Sequence, residues 1–338
     1  MTNLTDSGVL LRMAYRAMQN AGIDADAVLA KVGVEKAMLN LPELRTPHDA
    51  QEWFWQAVEE VSGDPMVGLH LGAHFPIFKG QVLEYLFLSS PNFGEGLKRA
   101  VAYQRLLSDA ANAEIIDQGG EHIFLKQLLW SRKLGHLNEC AAVGVVKFFS
   151  FVTDGAFMPL EVHFSHDQHG DMREYERVFG CQVKFSMPAV GILFDRKVMD
   201  LPSAHHEPEL LQLHERLASE QIARLEKQDL VTQVSRLIAE LLESGHANLE
   251  EVAARLGIKP RQLRTRLADA GTNFNQLVAE YRCKLAKRLL AGTDETIDEI
   301  VYLTGFSEPS TFYRAFKRWV GMTPIEYRKM KSDEDAAG

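Results

Sequence analysis

The chain has 338 residues, of which 46% are hydrophobic and 25% charged, and its formal net charge is −9. This ordinary globular composition excludes a disordered chain, a collagen-like repeat and a disulfide scaffold, and the length suits about two domains. The sequence contains neither an uncharged apolar run of about 18 residues nor a signal-peptide pattern, so no membrane partner is predicted. Three widely spaced cysteines, Cys140, Cys181 and Cys283, suit the reducing cytoplasm and argue against a structural zinc site.

Charge is distributed unevenly along the chain. Residues 232–330 contain 15 Lys or Arg and 12 Asp or Glu, a balance of +3, whereas the remainder holds 22 basic and 34 acidic residues, a balance of −12. Such asymmetry indicates two domains with different partners, of which the C-terminal one tolerates a polyanion. An excess of +3 is also ordinary for a helical domain, so charge alone leaves both interpretations open.

In chain order, helical patterns come first. Thr46-Pro47 is expected to begin a helix, because the Thr side chain can accept from the backbone of Asp49 and Pro suits the first helical position. The helices predicted in this part of the chain cover 8–39 with a break at 22–24, 46–62, 80–88 and 93–107.

The pattern changes near residue 113, where short β-branched and aromatic runs begin. Residues 113–117 and 122–128 flank Gln118-Gly119-Gly120 and predict a hairpin. Further strands are predicted over 160–165, 182–185 and 190–194, with helices over 136–152 and 171–179. The N-terminal part is therefore predicted to be an α+β domain.

The stretch 201–208 interrupts this pattern, and a polar helix over about 209–227 is expected to lead into the next unit. From Leu230 onward every pattern is helical, which predicts an all-α C-terminal domain. The predicted boundaries are a domain over 1–205, a linker over 206–230, a domain over 231–332 and a disordered tail over 333–338.

A short helix and a tight turn are predicted from residue 249. Leu249, Val252, Ala253 and Leu256 share one helical face, and Gly257 supplies the left-handed residue that ends the helix. Ile258 is then expected to be buried in the turn.

A second helix follows at Lys259-Pro260, with Leu263 and Leu267 facing inward. Its outward residues are Arg261, Arg264, Thr265 and Ala268. This layout is a helix-turn-helix, whose second helix places its N-terminal residues at base edges in the major groove of DNA.

The same layout returns about 48 residues later. Thr296 and Asn248 open the two units as helix caps, Gly305 matches Gly257, and Phe306 matches Ile258. In the second candidate recognition helix Phe312 and Phe316 face inward, while Ser310, Thr311, Arg314 and Lys317 face outward. Residues 274–290 form one amphipathic helix between the units. A single match is also typical of an ordinary helical hairpin, but two matches in register favour a DNA-binding domain.

These residues resemble the DNA-binding domain of the arabinose-regulator (AraC/XylS-type) transcription factors. The resemblance is carried by Ile297 to Val301, Gly305-Phe306-Ser307, Phe312 to Arg318, Gly321, and Thr323 to Arg328. It implies base contacts from Arg261, Arg264 and Thr265 in the first helix and from Pro309, Ser310, Thr311 and Arg314 in the second. Glu308-Pro309 departs from the two small polar residues found in many members, and Pro309 has no side-chain donor to offer a base.

The N-terminal part is more faintly similar to the non-cupin effector domain of one branch of that family. The cues are Phe78-Lys79-Gly80, Leu97 to Ala100, Glu174 to Cys181 and Phe194-Asp195. The resemblance implies a small-molecule effector, a homodimer, operator or promoter DNA as a partner, and contact with RNA polymerase. It also implies that the domain over 1–205 is regulatory and that the domain over 231–332 binds DNA.

Arginine on a recognition helix can donate two hydrogen bonds to guanine, which makes Arg261, Arg264 and Arg314 the candidates for base reading. Their alternative role is phosphate contact, which adds affinity without sequence choice. Phosphate or solvent contact is also predicted for Lys317, Arg318, Arg282 and Lys287.

Enzyme motifs are absent from the sequence. His163, His166 and His169 cluster after a strand and His70 and His74 are four residues apart, but no HExxH accompanies them, so structural histidines are expected. No GxSxG, GxGxxG or GxxxxGK[ST] is present, and neither a catalytic residue, a cofactor nor a metal is predicted. Two aromatic clusters, 53–55 and 148–151, are expected in the core.

The leading hypothesis is a cytoplasmic, sequence-specific transcription regulator controlled by an effector in its N-terminal domain. The alternative is a sensor or enzyme domain fused to a helical module that does not bind operator DNA. A constitutive architectural DNA binder is disfavoured, because the large acidic domain would then serve no purpose.

Overall fold

The computed structural model describes residues 4–77, 81–127, 134–243 and 247–335, and the chain divides into two compact units, Met1–Ile222 and Ala223–Gly338. The first unit combines helices and sheets and the second is helical, as the predicted α+β and all-α classes require. None of the described helices combines the length and apolarity needed to cross a membrane.

Among its described residues the first unit contains eight complete α-helices, the N-terminal part of a ninth and seven strands. The helices are α1 Gly8–Asn20, α2 Ala25–Lys31, α3 Ala50–Ser62, α4 Val67–His74, α5 Val82–Leu88, α6 Phe93–Ala102, α7 Gly135–Val152 and α8 Met172–Phe179. The strands are β1 Thr5–Ser7, β2 Arg45–Pro47, β3 Ala113–Asp117, β4 His122–Gln127, β5 Pro159–His163, β6 Gln182–Lys184 and β7 Val190–Asp195. Phe78-Lys79-Gly80 and Leu128, which the predictions used, lie outside the described residues.

Five of these strands form one sheet in the order β3-β4-β7-β5-β6. All neighbours are antiparallel except β5 and β6, which are joined by α8 and run parallel. The predicted hairpin is present, with Ala113 opposite Gln127 and Asp117 opposite Ile123. The core against this sheet contains Phe157, Phe164 and Phe194, none of them more than 1% exposed.

A second hydrophobic core is formed by α1, α2, α3 and α4. Helix α7 contributes residues to both cores. α4 lies so close to α7 that a Cβ on Gly68 would come within 2.4 Å of the His136 backbone. A Cβ on Gly72, one turn later, would come within 2.8 Å of the Val143 side chain. The glycines at this i, i+4 spacing therefore permit the two helices to pack in direct contact.

The predicted helix start at Thr46-Pro47 is wrong. Thr46 pairs with Asp6 in the β1–β2 ladder, and α3 begins only at Ala50 with no side-chain cap at Asp49. Asp6 is buried and accepts from Gln51 Nε2 at 2.7 Å and from the Ser108 hydroxyl. Burial raises the pKa of Asp6, but hydrogen bonds from His48, Ser108 and Gln51 outweigh it and lower that pKa below its ordinary value.

Three further boundaries differ from the predicted ones. α6 ends at Ala102 rather than 107, and Gln104 just beyond it bonds the backbone of Ala113 in both directions. The polar helix predicted over 209–227 and the helix expected after 230 are one helix, α9 Pro208–Glu243, so most of the predicted linker is helical and the two units divide within it. The last helix reaches Asp335, three residues beyond the predicted end of the domain at 332, and 336–338 lie outside the described residues.

The second unit continues with α10 Leu249–Arg255, α11 Pro260–Asp269, α12 Phe274–Gly292, α13 Ile297–Leu303, α14 Pro309–Val320 and α15 Pro324–Asp335. Its apolar residues form two separate clusters. The first joins α9, α10 and α11 to the N-terminal half of α12, where Leu277 is buried. The second joins α13, α14 and α15 to the C-terminal half of α12, where Ala286 and Leu290 are buried. One helix therefore belongs to both cores.

Candidate nucleic-acid interface and ligand cavity

The first helix-turn-helix is built as its residues predict. Asn248 accepts from the backbone N–H of Glu251 at 2.8 Å and so begins α10. Gly257 ends that helix at φ +66°, a left-handed conformation that a Cβ disfavours. Pro260 opens α11, whose Leu263 and Leu267 are completely buried. Burial of these two leucines leaves the opposite face of α11 in solvent.

The second helix-turn-helix repeats this construction. Thr296 and Glu299 form a reciprocal capping box, with the Thr296 N–H donating to Glu299 at 2.7 Å. Gly305 adopts φ +73° in the turn. Phe312 and Phe316 are completely buried, so the outward face of α14 is again set by an inward pair at i, i+4.

The residues predicted to contact bases, together with Lys317, are exposed on these two helices. They are Arg261, Arg264 and Thr265 on α11 and Pro309, Ser310, Thr311, Arg314 and Lys317 on α14.

Two arginines on these faces are free to rearrange. Arg264 lies 3.5 Å from Glu250, but both side chains are about two-thirds exposed, so leaving this pair costs little. Arg314 has neither a hydrogen bond nor an ion pair within the part of the chain that the structure describes.

Charge is arranged to suit a polyanion at the second helix of each unit. The acidic residues Glu250, Glu251, Asp298 and Glu299 lie in the first turns of α10 and α13, where they complement the positive end of the helix dipole. The recognition helices carry the basic residues, listed by helix as Arg261, Arg264 and Arg266 on α11 and Arg314, Lys317 and Arg318 on α14. Basic side chains therefore outnumber carboxylates on the two faces offered to DNA, although Glu250 reaches Arg264 and Glu308 is exposed at the N-cap of α14.

Arg282, predicted to contact phosphate or solvent, makes its contacts inside the second unit. Its guanidinium lies 4.6 Å from the centre of the Phe306 ring and donates to the Gly305 carbonyl at 2.8 Å. Burial lowers the pKa of Arg282. A cation on α12 thus holds the turn of the second helix-turn-helix, and no sequence pattern indicates this contact because it joins residues 23 positions apart.

Gly305 is required for a second reason besides its positive φ. A Cβ at this position would come within 3.2 Å of both Arg282 Nη2 and Leu242 Cδ1. The turn between α13 and α14 is therefore held between α12 and the end of α9.

Three of the five histidines predicted to be structural, His70, His163 and His166, have carboxylate partners. Glu139, completely buried on α7, accepts from the Tyr175 hydroxyl at 2.7 Å and lies 3.1 Å from His166 Nε2. His70 lies 2.6 Å from Asp64 and His163 lies 2.7 Å from Glu161. Among the described residues, no group of three or more His, Cys, Asp or Glu side chains is arranged to hold a metal ion.

A cavity of about 630 Å³ lies within the first unit, between α1, α3, α5, α6, α7 and the start of the sheet. Its walls include Trp53, Phe54, Trp55, Phe148 and Phe149, from the two aromatic clusters expected in the core. The expectation is confirmed for Phe54, Trp55 and Phe149, which are buried in the two hydrophobic cores, and it is wrong for Trp53 and Phe151, which are exposed. Trp53 is 71% exposed, so the cavity opens to solvent beside it.

The helices α5 and α6 have a second contact, to the N-terminal part of α9 within the same unit. The Tyr85 ring stacks on His214 at 5.3 Å. Arg99 donates to Glu215 at 2.8 Å, and the hydroxyls of Tyr103 and Ser219 lie 2.9 Å apart. Because α5 and α6 also line the cavity, two helices connect its interior to α9.

Two family profiles and a relative of similar length match this chain. The profile of the arabinose-binding domain of AraC transcription regulator, N-terminal, matches residues 22–203, and a helix-turn-helix domain profile matches 252–330. The ornithine utilization regulator of Pseudomonas aeruginosa is 28% identical over 315 residues, which cover 91% of each chain.

Two further proteins are similar to this chain. The transcriptional regulator VirS of Mycobacterium tuberculosis is 32% identical over 165 residues, covering 49% of this chain and 48% of VirS. The crystal structure of the transcriptional regulator CdpR from Pseudomonas aeruginosa aligns with a TM-score of 0.46 and 21% identity over 93% of this chain and 97% of that one.

Replacement of Arg282 by Met tests the buried guanidinium. Loss of the hydrogen bond to Gly305 and of the contact with Phe306 should lower the free energy of unfolding by about 1–3 kcal/mol. The dependence of DNA affinity on salt should keep its slope, because no phosphate contact is lost. Denaturant unfolding and a binding series at several salt concentrations measure both quantities.

The matched control is Lys284→Met, which removes an exposed cation two residues away on α12 and should leave stability within about 0.5 kcal/mol. A stable Arg282→Met variant whose salt slope falls by about 0.9 would instead make Arg282 a phosphate contact.

Proposed function

This chain belongs to the AraC family of transcription regulators, and we propose that it reads a two-part operator through α11 and α14 under the control of a small molecule bound in the cavity of the first unit. The relatives with which it aligns are named transcription regulators, which confirms the DNA-binding regulator predicted from the sequence. The alternative of a sensor or enzyme fused to a helical module is not favoured.

The observation that carries the proposal is the pair of exposed polar faces on α11 and α14. Each face stands opposite a buried apolar pair, and each is preceded by a capped helix and a glycine in the left-handed conformation. A recognition helix needs this combination, because the inward pair fixes its rotation and the outward face contacts base edges.

Side-chain chemistry assigns different roles on these faces. Arg261, Arg264 and Arg314 can each donate two parallel hydrogen bonds to guanine O6 and N7. Ser310 and Thr311 offer single hydroxyls to bases or phosphates, and Thr265 does the same after releasing the Arg261 carbonyl, to which it donates at 3.1 Å.

Two residues of α14, Lys317 and Pro309, are proposed to contact DNA without forming hydrogen bonds to bases. Lys317, two turns into the helix, is proposed to contact a phosphate as a point charge. Pro309 is exposed at the first turn of α14 and has no side-chain donor, so it contributes by van der Waals contact alone.

The separation of the two helices is proposed to match successive major grooves. α12 has 19 residues and is therefore about 28 Å long. Its two ends belong to different cores, each containing one recognition helix. Successive turns of the major groove are about 34 Å apart, so one chain can engage two of them on the same side of the duplex.

Control by the first unit is proposed to pass along α9. The helix contacts α5 and α6 in the first unit through His214, Glu215 and Ser219, and it buries Val234 and Ile238 in the core of the second. A ligand that shifts α5 or α6 therefore acts on a helix that is part of the DNA-binding domain. Homodimerisation and contact with RNA polymerase belong to the same proposal, as do a cytoplasmic location beside the DNA and the absence of catalytic activity.

Replacement of Arg264 or Arg314 by Ala tests the assignment of the recognition helices. On a duplex selected by the wild-type protein from a random library, each variant should lose about 5- to 150-fold in affinity and relax its choice of base at one position. Lys317→Ala should instead weaken binding to all sequences alike and reduce the salt slope by about 0.9. Fluorescence anisotropy with matched and mismatched duplexes gives these values.

Arg16→Ala is the control, because it removes an exposed arginine from α1 in the first unit. If the Arg264 and Arg314 variants keep both the affinity and the sequence choice of the wild type, α11 and α14 are not the reading helices.

A proline in α9 tests the route between the units. Gln228 is exposed, and Gln228→Pro breaks the helix where proline removes a backbone hydrogen bond and clashes with the preceding turn. Operator binding should change amide hydrogen exchange over 82–103 in the wild type and in the control Gln228→Ala, because coupling between sites is reciprocal. In Gln228→Pro, protection should appear in α11 and α14 alone. A change over 82–103 that persists in the proline variant contradicts transmission through α9.

A further inference from the structure

We infer that the cavity of the first unit binds a mainly hydrocarbon molecule with one hydrogen-bond-accepting oxygen, and that neither a sugar nor a free amino acid fits it. This inference rests on the proposed function of the cavity as the effector site, and it names the class of effector. It is carried by the composition of the walls, by the partners of their polar groups, and by one buried donor.

The walls are overwhelmingly apolar. Of the 34 described residues that line the cavity, 28 carry no charged, amide or hydroxyl group in their side chains. The six exceptions are Lys31, Thr46, Gln51, Glu84, Gln104 and Gln127. A volume of about 630 Å³ lies within the range of small-molecule sites, roughly 300–1,000 Å³, so the space suits a ligand rather than a few waters.

Most of the polar wall groups already have partners in the protein. Lys31 is paired with Glu60 at 2.6 Å, and Gln51 donates to Asp6 at 2.7 Å. Gln104 uses both ends of its amide on the Ala113 backbone. Glu84 accepts from the backbone N–H of Gln81 at 3.1 Å.

These partners exclude a ligand with many polar groups. A pentose would bring several hydroxyls, more than the Thr46 hydroxyl, the Gln127 amide and the Trp55 indole can satisfy, and a buried hydroxyl without a partner is unfavourable. A free amino acid would bring two charges, and its burial here would be more unfavourable still.

Three polar groups in the wall have no hydrogen-bond partner among the described residues: the Thr46 hydroxyl, the Gln127 amide and the Trp55 indole N–H. Trp55 lines the cavity and is 4% exposed, and its indole Nε1–H is buried with no hydrogen-bond partner among the described residues. Indole nitrogen is only a donor, so a ligand that reaches it would present an accepting oxygen such as a ketone or ester carbonyl. The aromatic rings of Phe87, Phe148 and Phe149 lie on the same walls and suit a hydrocarbon chain.

Gly144 offers a way to fill the cavity without disturbing the fold. It lies within α7 and lines the cavity, and a Cβ added to it meets no heavy atom within 4 Å. Gly144→Phe therefore places a ring in the space that the ligand would occupy. Gly144→Ala is the matched control, since it adds a single methyl group and removes the same helix-interior glycine.

The experiment measures binding of straight-chain 2-alkanones from 2-hexanone to 2-decanone to the full chain by titration calorimetry. Affinity should rise about fourfold for each added methylene, with a negative heat-capacity change, because apolar surface is buried. L-arabinose and L-ornithine should not bind at the same concentrations. Either polar compound binding more tightly than every alkanone, or alkanones failing to bind up to their solubility limit, overturns the inference.

Two variants locate the bound alkanone. Gly144→Phe should abolish binding while Gly144→Ala keeps it, with unchanged far-ultraviolet circular dichroism in both. Trp55→Phe should weaken 2-decanone binding by about 2- to 13-fold, the range of one net hydrogen bond, and should keep the gain per methylene. Equal binding to the wild type and to Gly144→Phe would place the ligand elsewhere and contradict the proposal.

Failure of the ligand class and failure of the effector role give different results. Operator affinity is measured with and without saturating 2-decanone. If the alkanone binds as expected but operator affinity does not change, the ligand class stands and the effector role of the cavity is wrong. If L-arabinose binds the cavity and changes operator affinity while alkanones do not bind, the effector role stands and the ligand class is wrong.

Discussion

The DNA-binding half of the molecule depends on one helix being buried at both of its ends. Leu277 anchors the N-terminal half of α12 in the core that contains α11, and Leu290 anchors the C-terminal half in the core that contains α14. Since neither core includes both recognition helices, α12 sets the distance between them. Arg282 strengthens this arrangement by binding the turn that begins the second recognition helix.

The elements of the second unit could be predicted because their causes are local. Caps at Asn248 and Thr296, glycines at 257 and 305 and inward pairs four residues apart all lie within one or two turns of the helix they determine. The outward residues followed from the inward ones by helical geometry alone. The continuity of α9 was missed, because its polar surface over 209–227 and its apolar surface after 230 suggested two helices rather than one helix in two environments.

The first unit was less predictable, and the reason is physical. The two three-residue strands β1 and β2 are too short to show alternation, so Thr46-Pro47 suggested a helix cap instead of a ladder with Asp6. The cavity is assembled from five helices between residues 8 and 152, and its walls have the same composition as a core. A sequence pattern shows that Trp55 or Phe148 is buried but not whether it is buried against protein or against a space. The partner of Arg282 was missed for a similar reason, because contacts between distant segments leave no periodic signal.

Mapping of guanine contacts by dimethyl sulfate interference tests the central claim most directly. On a duplex selected from a random library, methylation at N7 blocks any side chain that reads that base in the major groove. Two groups of interfering guanines about 10 base pairs apart on one side of the duplex are predicted, one lost in Arg264→Ala and the other in Arg314→Ala. A single group, or two groups that respond to the same arginine, would contradict a pair of recognition helices held apart by α12.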